Sequence, residues 1–190
     1  MIAIVGKIAS GKTTFLKSCA SLGYSTFSCD EYVNYLYTQN SDFINKIKQN
    51  IGEFLIKNNQ VSKDEIKKWI RQDLTNLQLI EKEVFLEIKS HLQQHQYDFV
   101  EIPILATKIV DFSTFFSLIL NMQISPSQHE KLLKNKGVDN FVLEILLNQN
   151  AYNWEEKDFF RNKKVVNIPL NKRDNLDKIK LLLHEIKQTM

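Results

Sequence analysis

The segment IAIVGKIASGKTTFLKSCASLG, residues 2–23, decides the fold of this chain. Its first four residues are apolar and predict a short buried strand, while the pattern from Lys12 onward predicts a helix. Between strand and helix, the fixed positions of the pattern G-x-x-x-x-G-K-[ST] are occupied by Gly6, Gly11, Lys12 and Thr13. Two of the five glycines in the chain therefore lie in one connection, which indicates a backbone with a special conformation.

This pattern is typical of a loop that wraps the phosphates of a nucleotide, here called the P-loop (residues 6–13). Glycine lets the backbone turn its N–H groups inward and lets a phosphate approach closely. The following helix presents the positive end of its dipole to the same anion. In this pattern the Lys12 ammonium reaches the β- and γ-phosphates, and the Thr13 hydroxyl is a ligand of Mg²⁺. The sequence therefore predicts binding of a nucleoside triphosphate with Mg²⁺.

The composition is that of an ordinary globular domain. The chain has 190 residues, 43% of them hydrophobic and 25% charged, and its formal net charge is +3. The basic residues are dispersed and balanced by 22 acids, so we expect no nucleic-acid partner, which would need a basic stripe with interleaved aromatic residues. No apolar run approaches the roughly 18 residues that span a membrane, and the two cysteines show no metal-site or disulfide pattern. We expect a reduced, cytoplasmic protein that acts as a monomer.

The order of elements along the chain predicts an α/β fold. Helical patterns separate apolar runs that predict strands at residues 2–5, 24–28, 99–102, 115–122 and 164–170. This alternation favours a three-layer P-loop NTPase-type parallel sheet with helices on both faces. The core is expected at about 1–30, 96–124 and 162–190, with two helical insertions at about 31–95 and 125–161.

Capping signals subdivide the first insertion, which we expect to be helical and to contain no strand between residues 41 and 95. Ser62 and Glu65 have the spacing of a capping box before an apolar-periodic run. Asp73 is expected to cap the long helix that follows it.

Three classes of protein use such a loop: GTPase switches, ATP-driven machines and small-molecule kinases. The order Asn171-Lys172-Arg173-Asp174 matches the guanine-specificity motif N-K-x-D, but the chain has no D-x-x-G switch motif. We therefore interpret this segment as a polar loop capped by Asp174. The second class, ATP-driven machines, would need a longer chain. A small-molecule kinase needs an acid just past the second strand to orient or deprotonate the acceptor hydroxyl. Asp30 lies at that point, where ligands bind in open α/β sheets.

Several segments resemble the dephospho-coenzyme A kinase family over most of the chain. Residues 2–33 resemble the family's P-loop, helix, strand and D-x-D pair, with Ser28 in place of the first aspartate. VEIPIL, residues 100–105, resembles its D-I-P-L-L strand, with Glu101 in place of the aspartate. The segments at 51–70, 79–85 and 124–149 resemble the family's F-G-x-x-I-L region, its L-E-x-x-x-H-P motif and its lid. In the lid segment Lys131 stands where an arginine is expected.

The resemblance implies ATP-dependent phosphorylation of the ribose 3′-hydroxyl of dephospho-CoA, which gives coenzyme A in the last step of its biosynthesis. The partners would be ATP and dephospho-CoA, with Mg²⁺ as the cofactor. The donor phosphates would be held by Gly6, Ala9, Ser10, Gly11, Lys12, Thr13 and Thr14. The insertion at 31–95 would hold the acceptor, and the one at 125–161 would close over ATP as a lid to which Lys131 adds positive charge.

The same resemblance assigns roles at the reacting atoms. Asp30 would accept or orient the proton of the 3′-hydroxyl, and Lys12 would be the second catalytic residue. Glu101 would join Thr13 at the metal. Catalysis of this kind is mainly positioning and charge stabilisation.

Two alternatives stay open on the sequence. One is a P-loop kinase for another small alcohol such as a nucleoside or nucleotide, although such kinases usually carry an arginine motif where this chain has IPILATK, residues 102–108. The other is a nucleotide-binding protein with weakened catalysis. Ser28 and the missing lid arginines favour that second alternative, whereas the intact P-loop and Asp30 oppose it.

Overall fold

The computed structural model describes residues 1–136 and 163–188. The strands, numbered in chain order, are β1 Ile2–Val5, β2 Thr26–Ser28, β3 Ile56–Lys57, β4 Gln60–Val61, β5 Phe99–Glu101, β6 Leu118–Met122 and β7 Lys164–Ile168. The helices are α1 Lys12–Ser21, α2 Cys29–Thr38, α3 Ser41–Asn50, α4 Lys63–Gln72, α5 Asn76–Gln94, α6 Pro126–Lys136 and α7 Leu176–Gln188. Short 3₁₀ turns cover Glu53–Leu55, Phe112–Phe115 and Leu170–Lys172.

The chain divides into two compact units. The first unit contains residues 1–28, 96–107 and the described part of 111–190. The second unit contains residues 29–95 and 108–110. The chain therefore leaves the first unit at the end of β2 and returns to it shortly before β5.

The first unit is built on a five-stranded sheet with the strand order β2-β5-β1-β6-β7. Every neighbouring pair of its strands is parallel, and in central β1 the residue Ile4 lies beside Glu101 of β5 and Leu120 of β6. Parallel strands place all their carboxyl ends at one edge, where ligands bind in α/β folds. The predicted α/β fold with a parallel sheet is confirmed.

The central strands β1 and β6 are buried along their whole length, as expected for strands whose two faces are both covered. Successive residues of a strand point to opposite faces, and Ala3 and Ile4 are each 0% exposed. One cluster joins Ile2 and Ile4 of β1 to apolar residues of α1 and α7: Phe15, Leu16, Cys19, Ile179, Leu182, Leu183 and Ile186. Full burial of one such large side chain stabilises the fold by about 1.5–3 kcal/mol. The packing of α1 and α7 therefore holds β1, the strand that leads into the P-loop, in place.

The second unit consists of α2, α3, α4 and α5 with a short hairpin. Its buried side chains include Leu36 of α2, Phe43 and Ile47 of α3, and Ile66 of α4. The chain turns into α3 at Asn40, whose side chain accepts a hydrogen bond of 2.8 Å from the backbone N–H of Phe43. This cap satisfies one of the free N–H groups at the helix start.

The expectation that residues 41–95 contain no strand is wrong. β3 and β4 pair antiparallel, with Ile56 opposite Val61. The two residues between them, Asn58 and Asn59, have φ angles of 51° and 59°. Both angles lie in the left-handed region that a two-residue type I′ turn requires and that asparagine tolerates better than most residues.

The caps within the second unit agree in part with the sequence. Ser62 caps α4, and its Oγ accepts a hydrogen bond of 3.3 Å from the backbone N–H of Glu65. Asp73 does not cap α5. Its carboxylate instead accepts from the backbone N–H of Thr75 at 2.8 Å, and this turn lets α5 begin at Asn76.

The second predicted insertion, residues 125–161, lies mostly outside the described residues, since α6 ends at Lys136. Within the described ranges, residues 1–136 and 163–188, no helix has both the length and the apolar character needed to cross a bilayer. Cys19 and Cys29 are buried, and neither forms a disulfide. Burial raises the pKa of the Cys19 thiol to about 12, so it stays protonated and unreactive.

Candidate active site

The P-loop connects the carboxyl end of β1 to the first turn of α1. Gly6 has a φ of 142° and Gly11 a φ of 87°, conformations that side chains rarely adopt. A Cβ on Gly6 would come within 2.7 Å of the Met122 carbonyl oxygen, and one on Gly11 within 2.8 Å of Arg173 Nη1. Both fixed glycines of the motif are therefore required by backbone angle and by close packing.

A third residue of the loop has a left-handed backbone without being glycine. Ala9 has a φ of 61°, and an L-residue in this region costs roughly 1–2 kcal/mol. Such strain persists where the surrounding structure fixes the conformation, and it is frequent at ligand sites. The loop is thus held in a shape that its own sequence does not fully prefer.

The Lys12 side chain folds over the loop that precedes it. Its Nζ donates hydrogen bonds to the carbonyl oxygens of Gly6, at 3.1 Å, and Lys7, at 3.2 Å. Lys12 is also the first residue of α1, so its ammonium adds to the positive end of the helix dipole. The arrangement concentrates positive charge at the mouth of the loop, as binding of a phosphate chain requires.

The two predicted metal ligands lie together. Thr13 Oγ1 donates a hydrogen bond of 3.0 Å to Glu101 Oε1. Glu101 ends β5 beside β1 and is 2% exposed, whereas Thr13 is exposed at the start of α1. A hydroxyl and a carboxylate are oxygen donors of the kind that Mg²⁺ prefers.

This donor set fits magnesium bound together with a nucleotide. Mg²⁺ is usually held by one or two protein oxygens plus phosphates and waters, rather than by a cage of side chains. The described residues contain no group of three or more histidine, cysteine, aspartate or glutamate side chains placed to hold a metal.

Two side chains that the sequence did not single out for the site support the P-loop through its carbonyl groups. Arg173 Nη2 donates a hydrogen bond of 2.7 Å to the Ser10 carbonyl oxygen. His129 Nε2, on α6, lies 2.9 Å from the Ile8 carbonyl oxygen. A loop that turns N–H groups inward turns carbonyl groups outward, and buried carbonyls need donors. Neither contact has a local sequence signal, since 163 and 121 residues separate the partners.

A cavity of about 710 Å³ adjoins the P-loop at the ends of β6 and β7. Its polar lining includes Lys7 of the loop together with Asn121, Gln123, Gln128, Asn171 and Asp174. The volume is in the range of sites for small molecules and cofactors.

The N-K-x-D segment forms part of this cavity wall. The residue of this segment that caps α7 is Asn175, because its Oδ1 accepts a hydrogen bond of 3.0 Å from the backbone N–H of Lys178. The Asp174 carboxylate instead pairs with Lys178 Nζ at 2.9 Å.

Two further predicted site residues lie on α2 and α6. Asp30 is the second residue of α2, two positions beyond β2, and its side chain is exposed. Lys131 is exposed on α6. The roles of both stay predictions. The other residues assigned to the phosphates, from Gly6 to Thr14, lie together in the P-loop and the first turn of α1.

Comparison with protein-family models matches residues 1–167 to the family described as CoaE, dephospho-CoA kinase. Among curated proteins, the chain is 26% identical over 136 residues to a dephospho-CoA kinase of Protochlamydia amoebophila, covering 66% of each chain, or about two thirds. It is 23% identical over 159 residues to a dephospho-CoA kinase of Mycoplasma pneumoniae, covering 80% of each chain.

Solved structures show the same fold. The crystal structure of TT1252 from Thermus thermophilus matches with a TM-score of 0.65 and 18% identity, covering 100% of this chain and 96% of that one. A dephospho-CoA kinase from Campylobacter jejuni matches with a TM-score of 0.60 and 16% identity, covering 100% and 98%.

Proposed function

The chain belongs to the dephospho-CoA kinase family, and on that premise we propose that it transfers the γ-phosphoryl group of ATP to the ribose 3′-hydroxyl of dephospho-CoA. The observation that carries the proposal is the P-loop with Thr13 and Glu101 in contact beside it, in a chain whose family match covers residues 1–167. The product is coenzyme A, and the reaction is the last step of its biosynthesis.

The donor phosphates bind at the P-loop. We assign the phosphates to the backbone N–H groups of Gly6 and of residues 9–14, namely Ala9, Ser10, Gly11, Lys12, Thr13 and Thr14, at the start of α1. The Ser10 N–H now donates to the Lys7 carbonyl oxygen at 3.1 Å, so it would exchange this partner on binding. Lys12 Nζ now donates to two loop carbonyls, and on binding it exchanges them for the β- and γ-phosphates. Charge that spreads over the transferring group is stabilised by the same donors.

Thr13 and Glu101 are the residues that would hold Mg²⁺. When bound, the ion neutralises charge on the β- and γ-phosphates. The Thr13–Glu101 hydrogen bond orients both oxygens before ligand binding, which lowers the reorganisation needed to build the site. Glu101 is buried at the end of β5, so its carboxylate is fixed by the sheet.

Asp30 acts on the acceptor. Its carboxylate accepts or orients the proton of the ribose 3′-hydroxyl as the oxygen attacks the γ-phosphorus. Support comes from its place in the chain, two residues beyond the carboxyl end of β2. The insertion at 31–95 would hold dephospho-CoA. The insertion at 125–161, which lies outside the described residues beyond Lys136, would supply Lys131 and a lid over ATP that excludes water.

A panel of acceptors tests the proposal. The purified protein is incubated with ATP, Mg²⁺ and, in separate reactions, dephospho-CoA, nucleosides, nucleotides and shikimate, and products are identified by mass spectrometry. Formation of coenzyme A, with ADP in equal amount, is the expected result. Phosphorylation of another member of the panel in preference to dephospho-CoA, or hydrolysis of ATP without any acceptor product, would overturn it.

A further inference from the structure

We propose that Arg173 is a positioning residue of the triphosphate site. Its buried guanidinium holds the P-loop through the Ser10 carbonyl group. It also supplies a positive charge that is balanced by the phosphate chain of ATP. The inference rests on the proposed function only in that the P-loop binds ATP, and it does not depend on the acceptor. It gives a role to the arginine of the N-K-R-D segment, a residue that has no part in the proposed reaction.

The guanidinium joins three segments that meet at the carboxyl edge of the sheet. Nη2 donates to the Ser10 carbonyl oxygen of the P-loop at 2.7 Å and to the Gln123 carbonyl oxygen beyond β6 at 2.9 Å. Nε donates to the Ile168 carbonyl oxygen at the end of β7, at 3.4 Å. A planar group with five N–H donors in a rigid fork suits such bridging, and a lysine could not reproduce all of it.

The charge of this group is buried, and its described hydrogen-bond partners are backbone dipoles. Arg173 is 7% exposed, and within residues 1–136 and 163–188 its hydrogen-bond acceptors are backbone carbonyls. The neighbouring carboxylate of Asp174 pairs with Lys178 instead. Burial lowers the pKa of the Arg173 guanidinium, which is the sign of a desolvated charge. A charge buried in this way is costly unless a counter-charge lies near.

The position of the guanidinium identifies that counter-charge. Nη1 lies 2.8 Å from the point where a Cβ of Gly11 would be, so the group packs against the residue immediately before Lys12. Its field acts on the anion bound by the loop, in a buried environment where electrostatic interactions are stronger than in water. Its hydrogen bond to Ser10 also holds the loop in the shape that turns N–H groups toward the phosphates.

Binding of ATP without any acceptor tests the inference. We compare the affinities of wild type, Arg173→Met and Arg173→Lys for ATP, ADP and AMP by isothermal titration calorimetry in the presence of Mg²⁺. Folding of each variant is measured separately by circular dichroism. Lys172→Met is the matched control, because it removes one positive charge from the neighbouring exposed position of the same turn.

The Met variant is expected to lose about tenfold or more in affinity for ATP and ADP, and less for AMP, as loss of a charged hydrogen-bonding group predicts. Arg173→Lys keeps the charge but cannot form all three hydrogen bonds, so its affinity should lie between those of wild type and Arg173→Met. Lys172→Met should stay within about threefold of wild type. If the Met variant does not fold, Arg173→Gln takes its place with the same expected loss.

A folded neutral variant that binds ATP with wild-type affinity overturns the inference, even if its melting temperature falls, because a purely structural role predicts that result. An equal loss in Lys172→Met also overturns it, since the effect would then be one of general loop charge. Wild-type protein that binds ATP but does not phosphorylate dephospho-CoA contradicts the proposed function and leaves this inference standing.

Discussion

Thr13 Oγ1 donates to Glu101 Oε1 across 3.0 Å, although 88 residues separate the two in the chain. The contact joins the first turn of α1 to the carboxyl end of β5, beside the strand that leads into the P-loop. It is formed because β5 lies next to β1 in the sheet, so that the end of one strand faces the helix that follows the other. A hydroxyl and a carboxylate are thereby brought together at the position that we propose for Mg²⁺.

Removing the Thr13 hydroxyl should weaken the use of Mg²⁺. Thr13→Val keeps the shape of the side chain, and we expect it to raise the Mg²⁺ concentration for half-maximal rate by about 10- to 100-fold. Thr13→Ser keeps the oxygen donor and should stay near wild type. Rates at increasing Mg²⁺ and fixed ATP provide the measurement, and a valine variant with an unchanged Mg²⁺ dependence would remove Thr13 from the metal site.

Neutralising the Asp30 carboxylate should slow turnover while leaving donor binding intact. In Asp30→Asn the side chain keeps its size but no longer accepts a proton, so we expect kcat to fall by about 10²- to 10⁴-fold. The affinity for ATP, measured by titration without acceptor, should stay within about twofold of wild type. Glu31→Gln, at the adjacent exposed position, is the matched control, and near-normal kcat in Asp30→Asn would exclude the proposed role.

Relieving the left-handed backbone at Ala9 should stabilise the protein. The φ of 61° at this position costs an L-residue roughly 1–2 kcal/mol, and glycine gives back about 0.5–1 kcal/mol in lost chain entropy. We therefore expect Ala9→Gly to raise the free energy of unfolding by about 0.5–1 kcal/mol. Urea denaturation measures the change.

The same substitution at a helical position provides the opposite expectation. Ala20 is exposed within α1, so Ala20→Gly should lower the free energy of unfolding by about 0.5–1 kcal/mol. If Ala9→Gly destabilised the protein as much as Ala20→Gly does, the loop would not be strained at this residue.

The features that were predicted from the sequence are those with local signals. The P-loop lies in one continuous stretch whose strand, glycines and helix follow one another, so both fold and loop could be read from residues 2–23. Family membership was predicted from several segments spread over most of the chain, and it is confirmed by the match over residues 1–167. The pairing of Glu101 with Thr13 could be expected only once the resemblance placed Glu101 at a strand end.

Two features were not predicted from the sequence, because they lack a clear local sequence signal. The hairpin of β3 and β4 is only two residues long on each side, and its Asn58-Asn59 turn lacks the glycine that marks most such turns. Arg173 stands in a polar loop that reads as solvent-exposed, yet it is buried. Its partners at Ser10 and Gln123 come within reach only when β1, β6 and β7 lie side by side.

The central claim is that this P-loop delivers the γ-phosphoryl group of ATP to one particular hydroxyl. The most direct measurement is two-dimensional ³¹P–¹H NMR of the product formed from dephospho-CoA, with Lys12→Ala as the inactive control. The account predicts a new phosphomonoester coupled to the ribose 3′ proton with wild type and none with the variant. A phosphate at another hydroxyl, or equal product from Lys12→Ala, would contradict it.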